Sequence, residues 1–110
     1  LVVTASPEIT TKICLTDLPV HVVGTEFSYK SGMFDNFYKL PSCYGTNKIK
    51  YIQGWIKKNN LNLDFIEAWS DDLSDLEMMN VARKRFWINV NPSNKKLSEK
   101  NKNQDTFYHL

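Results

Sequence analysis

At 110 residues, 42% of them hydrophobic and 13% aromatic, the chain has material for one small packed core and is too short to lead one to expect two domains. Its 14 Lys and Arg are nearly balanced by 12 Asp and Glu, giving a formal charge of +2, so no whole-chain field marks it for nucleic acid or an anionic membrane surface. The two cysteines, Cys14 and Cys43, lack metal-ligand and CxxC spacing, which excludes a disulfide-stapled scaffold and leaves reduced thiols of a cytoplasmic protein as the expectation.

No apolar run reaches the ~18 residues that crossing a bilayer takes, and none follows a charged lead-in as in a signal peptide, so a soluble domain is expected. Leu1 opens directly inside the apolar run Leu1-Val2-Val3-Thr4, which reads as the interior of a longer chain.

Leu1 to Thr4 is the first predicted strand. Ser6-Pro7-Glu8 then supplies a capping residue, a proline at the first helical position and an acid in the first turn, so a helix should run to about Leu18, where Pro19 ends it. Val20 to Tyr29 is rich in β-formers, and Ser31-Gly32 is a turn signal before Met33 to Tyr38, which together fit a hairpin or an extended excursion. After Pro41 and Tyr44-Gly45-Thr46-Asn47, the apolar residues Ile49, Ile52, Trp55 and Ile56 share one helical face up to about Lys58, with Asn59-Asn60 as the stop.

Leu63 to Trp69 is the next strand and leads into the acidic turn Ser70-Asp71-Asp72-Leu73-Ser74-Asp75. Leu76, Met79 and Ala82 predict a short helix, and Arg85 to Val90 a further strand ended by Asn91-Pro92-Ser93. This alternation is the pattern of an α/β fold with a mainly parallel sheet. From residue 93 onward the composition turns to Lys, Asn and Ser, including Lys95, Lys96, Lys100 and Lys102, and reads as a solvated tail or frayed helix whose last residues, 107–110, could dock on the body.

Ligands of open α/β sheets gather beyond the carboxyl ends of the strands, which directs attention to Thr4, Lys48, Asp71 and Asp75. A hydroxyl, an ammonium and two carboxylates are what a phosphoryl group beside a hard divalent cation requires. Each residue also has a plainer reading. A threonine at a strand end can be structural and a lysine at a helix start merely solvated. In the acidic turn Ser74 could cap the following helix, with Asp75 complementing its dipole.

In order, Val2-Val3-Thr4-Ala5-Ser6-Pro7-Glu8, Cys43-Tyr44-Gly45-Thr46-Asn47-Lys48 and Ser70-Asp71-Asp72-Leu73-Ser74-Asp75-Leu76 resemble the last three signature motifs of the haloacid dehalogenase superfamily. The likeness is closest to its subclass IB hydrolases, among them phosphoserine phosphatases and phosphatidylglycerophosphatase-like proteins, and it spans residues 2 to 92. The resemblance implies a Rossmann-like core over 1–92, a polar tail over 93–110, and a Mg²⁺-dependent phosphomonoester hydrolase acting through an aspartyl-phosphate.

It further implies that Thr4, with Ala5 and Ser6, binds the phosphoryl group, that Lys48 stabilises the phospho-intermediate, and that Asp71 and Asp75 serve the metal. Asp72 has no implied role and reads as solvent-facing. Thr4-Ala5-Ser6 and the glycine-free acidic turn depart from the phosphoserine phosphatase pattern, which favours another phosphorylated small molecule or a lipid head group as partner.

The family's nucleophile is the first aspartate of an Asp-x-Asp motif on a central strand, and no aspartate here is followed two positions later by another. The expectation is therefore an incomplete core, with that central first strand and the cap domain supplied by a missing N-terminal segment, and with these residues inactive alone. A non-catalytic α/β interaction module, or a degenerate phosphatase fragment, is the competing reading.

Overall fold

The computed structural model describes residues 1–38, 40–94, 97 and 104–110. Where composition predicts one small domain, the chain groups into two compact units, Leu1–Leu61 and Asn62–Leu110.

In the first unit, strand β1 (Val2–Pro7) pairs in parallel with β2 (Val22–Thr25), the two joined by helix α1 (Glu8–Cys14). Parallel neighbours need such a crossover. α1 is shorter than its sequence suggests. It ends at Cys14, with Leu15 donating its N–H back to Thr11, well before Pro19. Ser6 does not cap it either: Pro7 holds the cap position with no side-chain cap, while the Ser6 N–H is drawn 3.1 Å from Thr4 Oγ1. The apolar positions Ile9 and Ile13 are exposed, and α1 buries no residue.

Of the hairpin and the extended excursion, the hairpin is present, as β3 (Phe27–Lys30) and antiparallel β4 (Met33–Tyr38). Ser31 and Gly32 both take positive φ, 52° and 76°, as a two-residue turn matching strand twist requires. Helix α2 (Asn47–Lys58) follows, and it stops where Asn59 and Asn60 predict, Asn60 adopting φ 51°. The core of this unit gathers Val23, Cys43 and Tyr51, with Val3 and Trp55 against them.

The second unit is a parallel sheet in the order β5 (Phe65–Ser70), β6 (Ala82–Ile88), β7 (Asp105–Tyr108). Between β5 and β6 the acidic turn becomes a 3₁₀ turn over Leu73–Asp75 and a single helical turn, α3 (Leu76–Met79). Ala82, predicted within that helix, instead opens β6 opposite Phe65, because the chain needs those residues to lay β6 alongside β5. β6 ends at Ile88, and the next residue, Asn89, leaves the strand with a φ of 54°.

The reading of the C-terminal stretch as tail or frayed helix is corrected for Asp105–Tyr108, which form the third strand; Lys95, Lys96, Lys100 and Lys102 lie outside the described residues. The anchor is Asp105. Its carboxylate takes both arms of the Arg85 guanidinium, at 2.6 and 2.7 Å, and the Trp87 indole N–H at 2.8 Å. Arg85 and Asp105 side chains are each 1% exposed, so the ion pair is desolvated and holds only because its donors and acceptors are matched. Met79, Trp87, Val90 and Leu97 pack beside it as the core of this unit. The α/β class with mainly parallel pairing holds, the β3–β4 hairpin being antiparallel.

Candidate functional site

The first unit carries Thr4, Ala5, Ser6 and Lys48. Val2, Val3 and Thr4 pair with Val22, Val23 and Gly24 in step, but the next pair is Pro7 with Thr25, so Ala5 and Ser6 bulge out of the ladder. Both are exposed and Thr4 is half-buried. Thr4 Oγ1 accepts the Ser6 N–H, and a hydroxyl that accepts still has its own proton to donate.

Two residues that sequence reasoning passed over shape this bulge. The Thr25 hydroxyl donates to the Ala5 carbonyl at 2.7 Å and accepts the Cys43 N–H at 3.0 Å, tying the bulge to the loop that leads into α2. It is 2% exposed. Gly24 lies beneath the bulge: a Cβ there would stand 2.9 Å from the Ser6 carbonyl oxygen and 3.0 Å from Glu8 Cα, both backbone atoms, so only glycine permits this approach. The Gly24-Thr25 dipeptide at a strand end was the available signal, but nothing local announces what it touches.

Downstream of Cys43, Gly45 turns the chain with φ 52°, and the Asn47 and Lys48 N–H groups bond back to Tyr44 and Gly45. Lys48 is the second residue of α2 and is 8% exposed. No acid occupies that first turn. A nearly buried cation at the positive end of a helix dipole runs against the usual preference for acids there. One turn on, burial pushes the Tyr51 phenol above its ordinary value of 10, and its hydroxyl donates to the Pro41 carbonyl at 2.8 Å.

The second unit carries Asp71 and Asp75 in a turn built by short-range bonds. Ser70 Oγ donates to Asp75 Oδ2 at 2.8 Å and accepts the Asp72 N–H at 3.1 Å. Asp72, exposed as expected, caps the 3₁₀ turn, its carboxylate accepting the Ser74 N–H at 2.7 Å, while the cap position of α3 is held by Asp75 without a side-chain cap bond, and not by Ser74. Asp75 is 6% exposed; Asp71 is exposed, and none of these bonds uses its carboxylate.

Among the described residues no three His, Cys, Asp or Glu side chains gather, which does not suit an all-protein transition-metal site. One or two carboxylates with water and substrate oxygens are the ordinary protein share of a Mg²⁺ sphere, and an outward Asp71 backed by a fixed Asp75 fits that donor chemistry.

The model of the haloacid dehalogenase-like hydrolases matches residues 1–80, more than half of the chain. The chain belongs to the haloacid dehalogenase-like hydrolase family. Searches of the curated proteins and of the solved structures return no match. The matched span contains all the residues named above as phosphoryl or metal candidates, together with Gly24 and Thr25. The parallel α/β architecture is that of a Rossmann-like core of this superfamily. No helix among the described residues is long and apolar enough to cross a membrane.

Proposed function

We propose that this member of the haloacid dehalogenase-like hydrolases is a Mg²⁺-dependent phosphomonoester hydrolase of subclass IB working through an aspartyl-phosphate, and that these residues hold its phosphoryl and metal sites. The observation that carries the reading is the bulge at Thr4–Ser6, pinned through Thr25 to the loop that delivers Lys48. Thr4 Oγ1, which accepts the Ser6 N–H and keeps its own proton to give, donates to a phosphoryl oxygen. Lys48 neutralises the charge that gathers on the phosphoryl group, and fixed donors of this kind lower the barrier without rearranging during the reaction.

Asp71 would hold the cation, with Asp75 kept in place by Ser70 as its support. When bound, Mg²⁺ would supply charge neutralisation for phosphoryl transfer. The nucleophilic aspartate and the general acid and base lie in an Asp-x-Asp segment outside these 110 residues, since none of the aspartates here has that spacing. We assign residues 1–92 to the catalytic core, with Asp105–Tyr108 adding a strand from the remainder, 93–110. The substrate is a phosphorylated small molecule or a lipid head group other than phosphoserine. Cys14 and Cys43 are both unbridged, which supports a cytoplasmic setting.

The test is turnover of para-nitrophenyl phosphate by the longest natural chain containing these residues. Activity should require Mg²⁺ and fall at least ~100-fold in Asp71→Asn, the scale of losing an electrostatic group at the reacting centre. Equal turnover in the folded variant would overturn the metal assignment. The lack of an Asp-x-Asp pair also supports a non-catalytic interaction module, and that reading gains if the long chain hydrolyses nothing yet still binds phosphate.

A further inference from the structure

One stripe of α2 belongs to a different feature. Asn47, Lys50, Tyr51, Gly54, Trp55 and Lys58 recur at three- and four-residue spacing and all line a cavity of ≈ 660 Å³ in the first unit. Its floor is β2, at Val22 and Val23. The facing wall is the end of α1 and the turn after it, through Leu15 and Leu18. None of Thr4, Ala5, Ser6 or Lys48 lines it.

The volume lies within the range of small-ligand clefts, which are mostly apolar with a few polar groups that fix orientation. Tyr51 and Trp55 supply flat apolar surface, and the His21 ring stands 5.3 Å from Trp55 at 50°, extending that wall. Gly54 sits between them along the stripe. Glycine is a poor helix residue, and here a Cβ would meet nothing within 4 Å, so no crowding in the fold calls for it. What its absence of side chain provides is depth in the groove.

Charge selects the occupant. Glu8 is already engaged on both oxygens, with the Gly24 N–H at 3.1 Å and with Lys12, and Glu26 has partners of its own. Lys50 and Lys58 are exposed on the groove stripe, about 12 Å apart along the helix axis. The local excess is therefore positive, and it lies at the rim of an apolar trough.

We propose that this groove binds a small amphipathic anion, a flat or aliphatic body carrying one carboxylate, sulfonate or phosphate group, at a site apart from the phosphoryl residues. The body lies along Tyr51 and Trp55 over Gly54, and the head group meets Lys50 or Lys58. The inference rests on the first unit alone and does not depend on the hydrolase chemistry.

The probe is 8-anilinonaphthalene-1-sulfonate, titrated into the full chain and followed by its fluorescence. One saturable site per chain is expected. Gly54→Leu places a good helix former in the groove and should weaken binding about tenfold or more with no fall in the unfolding midpoint; Lys50→Gln with Lys58→Gln should weaken it about tenfold at low salt and flatten its salt dependence. Unsaturable binding, or equal affinity in both variants, would overturn the site, since dye adsorbed on loosely packed surface responds to neither change. Should Gly54→Leu lose cooperative unfolding, the lysine pair, exposed and outside the core, decides the question alone.

Discussion

The residues proposed to bind the phosphoryl group and the acidic turn are held in contrasting ways. The bulge at Thr4–Ser6 depends on Thr25, 20 residues from Ala5 and itself tied to Cys43 a further 18 residues on, and on the missing side chain of Gly24. The turn carrying Asp71 and Asp75 is closed by bonds spanning two to five residues. One arrangement exists only when its unit is folded; the other is largely written into six consecutive residues. Their responses to mutation should differ accordingly.

The largest effect is expected outside both, at the anchor of the sheet that carries the acidic turn. Asp105→Ala removes the carboxylate that pairs with the buried Arg85 guanidinium, which should cost about 3–5 kcal/mol and detach β7 from β6, read as a lowered urea midpoint and faster amide exchange over residues 84–88.

Next comes Thr25→Val, similar in shape but without the hydroxyl. The buried Cys43 N–H and the part-buried Ala5 carbonyl each lose a partner, for a loss of about 2–4 kcal/mol, ~1–3 kcal/mol for the buried group and about 1 kcal/mol for the other. Phosphate binding should weaken with it, because the bulge and the approach to Lys48 are no longer tied together. A variant with unchanged stability and binding would remove the long-range half of the contrast. Smallest is Asp72→Ala, which removes one local cap from an exposed turn and should lower stability by about 1 kcal/mol in the same denaturation experiment, with the β5–β6 sheet intact.

The same division explains what could be read in advance. Ser31-Gly32 and Asn59-Asn60 identify their turn and helix stop because a positive φ is a property of single residues. Asp71, Asp75 and Lys48 stand out through motif spacing, and all lie in the matched family span. β7 did not, because its four residues acquire strand identity from Arg85 and Trp87, some twenty positions earlier. Thr25 and Gly24 are silent for the same reason: a hydroxyl and a missing Cβ carry no periodicity, and their meaning lies in what the fold brings against them. Ser6 and Ser74 misled as caps because the cap positions of α1 and α3 fall one residue later than each serine implies, at Pro7 and Asp75, where no side chain closes the helix start.

The central claim is that the Thr4–Ser6 bulge and Lys48 form an anion site for a phosphoryl group. Calorimetric titration of orthovanadate into the longest natural chain, with Mg²⁺ present, tests it most directly when repeated with Lys48→Met, which keeps length and removes charge. Binding in the unaltered chain and a loss of about 2 kcal/mol or more in the variant is the predicted result, the scale of a charge-assisted contact. Equal affinity in a folded Lys48→Met chain would contradict the account.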